Sequence, residues 1–229
     1  MIRSCLLFLL PFQLWSQTSP KTLIQGVTRR FDQVKSYSAS LQMQFQIPGV
    51  QLEPIAGKVY YKRPSRFRIQ AKGILFMPKQ NPYYALQLLR DTTAYTAIFS
   101  GEERIGNIPM QVIQIIPRQS GSDLVLGKFW IEETRQLIHK AQLTTQSSGT
   151  LTMEQTYGKQ AGYGLPDGIR FLIDVDRFKI PKAVAMEINA KARRGGAAPQ
   201  RGIGEIILSF SGFRLNELLD DKVFEEEAR

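Results

Sequence analysis

SYSASLQMQFQI, residues 36–47, changes character at every step. Tyr37, Ala39, Leu41, Met43, Phe45 and Ile47 fall on one side, and Ser36, Ser38, Ser40, Gln42, Gln44 and Gln46 on the other. Successive side chains of an extended chain point to opposite faces, so this period of two predicts a long strand with one buried face. Pro48-Gly49 then turns the chain. Ile55, Gly57, Val59 and Tyr61 alternate with Lys58, Tyr60 and Lys62, and after Pro64-Ser65 the residues Phe67, Ile69 and Ala71 oppose Arg66, Arg68, Gln70 and Lys72. Three such runs joined by turns make an antiparallel meander with one apolar face and one polar, basic face.

Outward from this core the pattern continues in both directions. Upstream, Thr18-Ser19-Pro20 offers a cap and a proline at the first helical position, and Leu23, Ile24, Val27, Phe31 and Val34 recur at helical spacing. This predicts one amphipathic helix, over about residues 21–35. Downstream, strands are expected at 83–90, 93–99, 107–117, 124–132, 137–145, 149–158, 168–178, 183–191 and 203–210. The 191–204 stretch KARRGGAAPQRGIG reads as a solvated loop or as a basic flap. The tail from Leu215 to Glu227 reads as a short acidic segment packed by Leu218, Leu219 and Phe224. A sheet of about ten or eleven strands curls on itself. Either it fills its interior with its own side chains, or it keeps an apolar hollow that one helix and a short tail only partly cover.

With 229 residues, 43% hydrophobic and 22% charged, the chain suits one globular domain and excludes disorder and collagen. In residues 1–16, Arg3 is followed by CLLFLLPFQLW and Ser16, which reads as a cleavable signal peptide ahead of a single domain at 17–229. Cys5, the one cysteine, would leave with it, so neither a disulfide nor thiol chemistry is expected. The formal charge of +10, less Arg3 of the leader, then faces anionic membrane surface, in transient contact, rather than nucleic acid.

Residues that could carry catalysis are sparse. His139 is the single histidine and reads as structural. Asp174 and Asp176 share a strand face, as solvated charges more than as a glycosidase pair. With no phosphate loop, nucleophile elbow or metalloprotease motif in the sequence, a binding protein without metal or cofactor is expected. Arg63 is the residue left to explain. Counting by twos from Ile55 puts it on the apolar side near Phe67 and Ile69, where a guanidinium must find carbonyls, a carboxylate or a ligand oxygen. If the strand has already ended, it reaches the rim instead.

Lys62-Arg63-Pro64-Ser65-Arg66-Phe67, placed after a leader, a helix and two long strands, resembles the KRP-x-x-F segment of LolA-like carriers, the outer-membrane lipoprotein-sorting family. Phe129-Trp130-Ile131-Glu132 before a Glu-Thr turn, Tyr-Gly-Leu-Pro at 163–166, and an ending with Phe213, Asn216 and Phe224 extend the likeness over most of the chain. It implies a mainly β fold, an unclosed antiparallel barrel with an N-terminal helix and short helical lid elements over its concave face. It also implies a periplasmic, monomeric, non-enzymatic carrier of lipoprotein acyl chains or other lipids, loaded by an inner-membrane donor and relieved by an outer-membrane acceptor. The acyl-chain site would comprise Leu41, Met43, Phe45, Val59, Tyr61, Phe67 and Ile69. Arg63 matches the family's arginine that bonds the lid backbone, and Phe67 its aromatic near the mouth. The stretch from Gly73 to Pro109 and the 191–204 loop depart from the family pattern. The alternative within the same fold is an envelope scaffold or stress sensor that makes protein contacts through the basic face.

Overall fold

Ser19 begins the first helix as the cap reading predicts: its side chain accepts a hydrogen bond from the Thr22 amide, and Pro20 takes the first helical position of α1 (Pro20–Asp32). In the computed structural model, which describes residues 18–48, 52–71, 82–119, 121–147, 149–174 and 202–225, all five apolar stripe residues of this segment are buried. The chain then runs through β1 (Ser36–Gln46), β2 (Ile55–Lys62), β3 (Arg66–Ala71), α2 (Pro82–Arg90), β4 (Tyr95–Ile105), β5 (Ile108–Pro117), β6 (Leu124–Glu132), β7 (Leu137–Thr145), β8 (Gly149–Thr156), β9 (Gly168–Asp174) and β10 (Ile203–Leu215). The signal segment, the 183–191 strand, most of the 191–204 loop and Asp176 lie outside the described residues.

These ten strands form one antiparallel sheet in the order β3-β2-β1-β10-β9-β8-β7-β6-β5-β4, with β3 and β4 at its two ends, so the barrel is unclosed. Among the described residues only β1 and β10 bring distant parts of the sequence side by side; every other pairing there follows chain order. In register, Leu41 faces Gly57 on β2 and Phe210 on β10, and Tyr61 faces Phe67 on β3. The alternation of β1 is kept: Leu41 and Met43 are buried, while Gln42 and Gln44 are exposed.

The concave face is covered by both helices. Leu23, Ile24 and Val27 of α1 and Ala85 and Leu89 of α2 join one core with Met43, Ile113, Phe129 and Phe171. On the convex face Met110, Val112 and Trp130 form a satellite core. There Trp130 donates to Glu103 at 2.7 Å, and Lys128 and Lys140 lie 4.5 and 4.8 Å from its ring centroid. The Trp130 hydrogen bond foremost, then that from Lys128, holds the Glu103 carboxyl below its ordinary pKa.

Two expectations are corrected. Residues 83–90 are helical, not extended: Ala85 and Leu89 lie one helical turn apart and both are buried, and a short apolar run cannot separate helix from strand by periodicity. Burial of its phenol pushes the Tyr95 pKa up to about 12, and the hydroxyl donates to the Leu89 carbonyl at 2.8 Å, tying the end of α2 to β4. In the tail, Leu218 does not pack; it is 98% exposed. Ion pairs hold that segment instead, as described below.

Asn216 joins the end of β10 to the α1–β1 turn. Its Oδ1 accepts from the Lys35 amide at 2.7 Å, its own amide donates to Ser36 O at 2.8 Å, and its side-chain amide reaches Gln33 O at 3.4 Å. Its φ of 58° lies in the left-handed region, where asparagine is tolerated better than alanine. Asn216→Ala is therefore expected to cost about 2 kcal/mol, more than Asn216→Asp, in urea unfolding.

Candidate functional site

Between α1, β3 and the end of β8 the concave face leaves a hollow. Its empty volume is about 750 Å³, part of it open to solvent. Val27 and Phe31 line it from α1 and Leu86 from α2; Phe67 and Ile69 line it from β3, and Leu208, Phe210 and Phe213 from β10. Behind one wall, rings run from Phe31 to the buried Tyr61 at 5.0 Å between centroids, from Tyr61 to Tyr37 at 5.5 Å, and from Tyr37 to Phe213 at 5.9 Å; Phe31, Tyr37 and Phe213 of these line the hollow. Gln136, Gln155 and Tyr157 supply polar atoms to the other wall. Of the two sequence alternatives, the interior is mostly filled, with a narrow apolar space left under the helices.

The structure separates the residues expected for an acyl-chain site. Phe67 and Ile69 line the hollow. Leu41 and Met43 are buried in the larger core and Phe45 packs half-buried against it. Val59 and Tyr61 are buried in a second cluster with Phe31, Val34 and Tyr37. β2 ends at Lys62, so counting by twos stops before Arg63, which stands at the rim with its side chain 44% exposed.

At the rim Arg63 meets the end of α1. Its Nη1 donates to the Asp32 carbonyl at 3.0 Å, and Nη2 lies 3.8 Å from the Asp32 carboxylate. Arg90, at the end of α2, reaches the same carboxylate at 2.5 Å and places its guanidinium 5.6 Å from the Phe31 ring centroid. An acid on the last turn of a helix opposes the macrodipole, and two arginines turn that unfavourable placement into a three-way tie among α1, α2 and the β2–β3 turn. The other end of α1 is held where Thr18 donates to Glu133. Midway, Gly26 is buried in the helix because the Gln136 amide lies where a Cβ would be, 2.4 Å away.

A second tie crosses β3. Asp221, in the 3-10 turn Asp221–Phe224, pairs with Lys62 at 2.5 Å and Arg66 at 2.8 Å, and Lys62 also donates to the Leu219 carbonyl. Phe67 borders both the hollow and a surface cleft lined by Asp221 and Phe224, so this tail segment lies beside the mouth.

Sequence reading missed Asp32, Arg90, Gln155 and Asp221. Two left a signal: Asp32 is an acid at a helix end, and Gln155 follows Leu151 and Met153 on the inward side of β8. His139, expected to be structural, sits 2.8 Å from the buried Glu132 carboxylate and edge-on to Tyr157. Among the described residues no cluster of three or more His, Cys, Asp or Glu could hold a metal ion.

No family model matches the sequence, and no curated protein matches it either. Solved structures do match in fold. A LolA superfamily protein from Nitrosomonas europaea superposes with a TM-score of 0.57 at 11% identity, covering 92% of this chain and 99% of that one. An outer-membrane lipoprotein-sorting protein domain from Vibrio parahaemolyticus does so with 0.57 at 10%, covering 90% and 95%. The fold is LolA-like. A DUF1329 family protein from Desulfovibrio piger is similar as well, with a TM-score of 0.55 at 14% identity over 91% of this chain and 98% of that one. The likeness fixes the shared LolA-like framework of sheet and helices at identities too low to carry side-chain roles.

The tail tie has a pH signature. Hydrogen bonding from Lys62, followed by the nearby Arg66 and Lys62 charges, holds the Asp221 carboxyl below its ordinary value of 3.8. A depressed carboxylate pKa stabilises the docked tail above that ordinary value, and the contribution is lost as pH falls through the lowered one. A fluorophenylalanine placed at Phe224 should therefore keep its docked ¹⁹F shift at pH 5 and change with a midpoint under 3.8. A midpoint at or above that value would mean that Asp221 does not hold the tail.

Proposed function

We propose that this protein is a periplasmic, non-enzymatic carrier that takes acyl chains of lipoproteins, or of related lipids, into the hollow beneath α1. In this reading residues 1–16 are its cleavable signal peptide and residues 17–229 its single domain, working as a monomer. An inner-membrane donor loads it and an outer-membrane acceptor relieves it. The observation that carries the reading is an apolar, aromatic-walled space under a helix whose end is tied down by Arg63 and Arg90 at the rim rather than by packing alone.

Magnitudes support a ligand-driven opening. Exposing Leu23, Ile24, Val27 and Phe31 of α1 to water would cost roughly 6–12 kcal/mol at about 1.5–3 per side chain. Burying about 16 methylenes of an acyl chain returns about 13 kcal/mol at ~0.8 each. The half-exposed ion pairs at Asp32 add only about 0.2–1 kcal/mol apiece, so they set how readily α1 lifts and not whether it can. An empty carrier of this kind stays closed in water and opens onto a chain that replaces its own contacts. The chain-contacting set is then Phe67 and Ile69 first, with Leu41, Met43, Phe45, Val59 and Tyr61 reached as α1 lifts and Arg63 as the latch.

The near-complete filling of the interior favours one other reading, an envelope scaffold or stress sensor using the convex basic face. In that case replacing Arg66, Arg68 and Lys72 would abolish partner binding, and no acyl probe would bind.

A fluorescent fatty-acyl probe and mass spectrometry of lipids that co-purify from the periplasm decide between them. Leu208→Trp, which fills the hollow, is expected to weaken the probe at least tenfold without loss of fold. The double variant Arg63→Ala/Arg90→Ala should speed probe entry by roughly three- to tenfold. Delipidated protein that binds no acyl probe would remove the carrier reading.

A further inference from the structure

The outer face of the sheet carries its charges unevenly. On β6 and β9 the cations have acids beside them: Lys128 lies 3.2 Å from Glu103, and Arg170 meets Glu154 and, at 3.7 Å, Glu205. At the β3 end the balance is lost. There Arg68 faces Tyr60, Tyr60 faces Ser38 and Ser38 faces Arg214, in one row across β3, β2, β1 and β10. Neighbouring strands stand about 4.8 Å apart, so the row spans roughly 14 Å. Lys58, opposite Gln70 on β3 and Ser40 on β1, adds a cation two residues along β2 on the same face. Arg214 joins the row through a bulge. The pairing of β1 with β10 shifts between Ser38 and Ser40, and Gly212 supplies the left-handed φ of 61° beside the extra residue. Phe210 and Phe213 therefore both line the hollow, while Arg214 is exposed on the outer side. Asp221 is engaged by Lys62 and Arg66. Among the described residues no carboxylate lies within ion-pair distance of Lys58, Arg68 or Arg214.

We infer that the row of Arg68, Tyr60, Ser38 and Arg214, together with Lys58, docks the protein on an anionic bilayer, its cations and hydroxyls meeting lipid phosphates. Charge complementarity carries the choice of partner. Guanidinium and ammonium groups give phosphate oxygens charge-assisted hydrogen bonds, and the Ser38 and Tyr60 hydroxyls between them add neutral donors. Side chains on one face of a sheet stand roughly parallel, so these groups do not converge on a point as a site for one bound anion requires. They suit a surface of many phosphates. A protein partner is favoured by an apolar centre to the contact, and Lys58, Arg68, Arg214 and their cross-strand neighbours Ser38, Ser40, Tyr60 and Gln70 include no aliphatic side chain. Arg68 stands between Phe67 and Ile69, which line the hollow, so a bilayer met by this face lies beside the mouth. The docking depends on charges outside the hollow and does not require the carrier reading.

The test is cosedimentation of the intact delipidated protein with sucrose-loaded vesicles of phosphatidylcholine, either pure or with about 30% phosphatidylglycerol. Each basic residue at an anionic surface contributes roughly fivefold, so wild-type protein is expected to partition about a hundredfold more strongly onto the anionic vesicles. It should leave them as NaCl rises from about 0.05 to about 0.3 M. Lys58→Gln/Arg68→Gln/Arg214→Gln should bring partition down to within about threefold of the neutral-vesicle level. The charge-matched control Lys21→Gln/Arg118→Gln/Lys159→Gln, changed on α1, after β5 and between β8 and β9, should lower it by about threefold at most. Should the triple variant fail to fold, Arg214→Glu alone, at an exposed site, is expected to cost about twentyfold. Equal partition of wild-type protein onto neutral and anionic vesicles, equal losses in the triple variant and its control, or unchanged partition of Arg214→Glu each overturns the docking row. Binding to neither kind of vesicle overturns it too and leaves the basic face to protein contact. An acyl probe run in parallel keeps the two readings apart: probe binding absent with vesicle binding intact removes the carrier and leaves the docking standing.

Discussion

A ten-stranded antiparallel sheet curved toward one side gathers its inward side chains onto a single concave face, and that face has to be covered. Here the cover is a pair of helices, and the contact of α1 with the sheet is what the remaining features serve. Leu23, Ile24, Val27 and Phe31 bury against it, Ser19 and Thr18 fix where the helix starts, and Asp32 hands its end to two arginines. Closing the barrel would have hidden the apolar face by strand pairing alone; with β3 and β4 not paired to each other among the described residues, the helices become part of the core.

The covering contact is apolar in its middle and polar at its ends, and the two parts answer different demands. Apolar burial is strong but has no direction, so a greasy guest can replace it at nearly equal free energy. The ties at Asp32 are weak and half-exposed, yet they depend on geometry, so they are broken by anything that reshapes the rim. The tail tie through Asp221 lies on the far side of Phe67 from the hollow, which places a second polar fastening beside the same mouth. A narrow interior bounded by weak polar fastenings is suited to two states, one filled by the protein and one by a ligand.

Much of this was legible along the chain. The period-two runs of β1 to β3, the cap and stripe of α1, and the strands from β5 to β8 stand close to where the residues alone put them, because alternation reports which face is buried wherever the opposite face is wet. The run at 83–90 was misread because Ala85, Leu86, Leu88 and Leu89 satisfy either period over so short a length. Leu218 was misjudged because an apolar residue in a charged tail gives no information about what lies opposite it. Gln155 was visible as a polar residue in step with Leu151 and Met153, but its significance depends on what faces it across the hollow.

Local pattern therefore determined the strands, the helix and the sidedness of the sheet, since each of these follows from the sequence spacing of apolar residues within one element. Tertiary structure decided which inward residues became core and which line a space. Leu41 and Phe67 both point inward by alternation, yet the first is sealed in the core and the second faces the hollow. The physical reason is that space is left where elements distant in sequence fail to meet. The arrival of Arg63 and Arg90 at Asp32, and of Gln155 and Phe67 at one hollow, likewise depends on the curvature of the whole sheet and on no single segment of it.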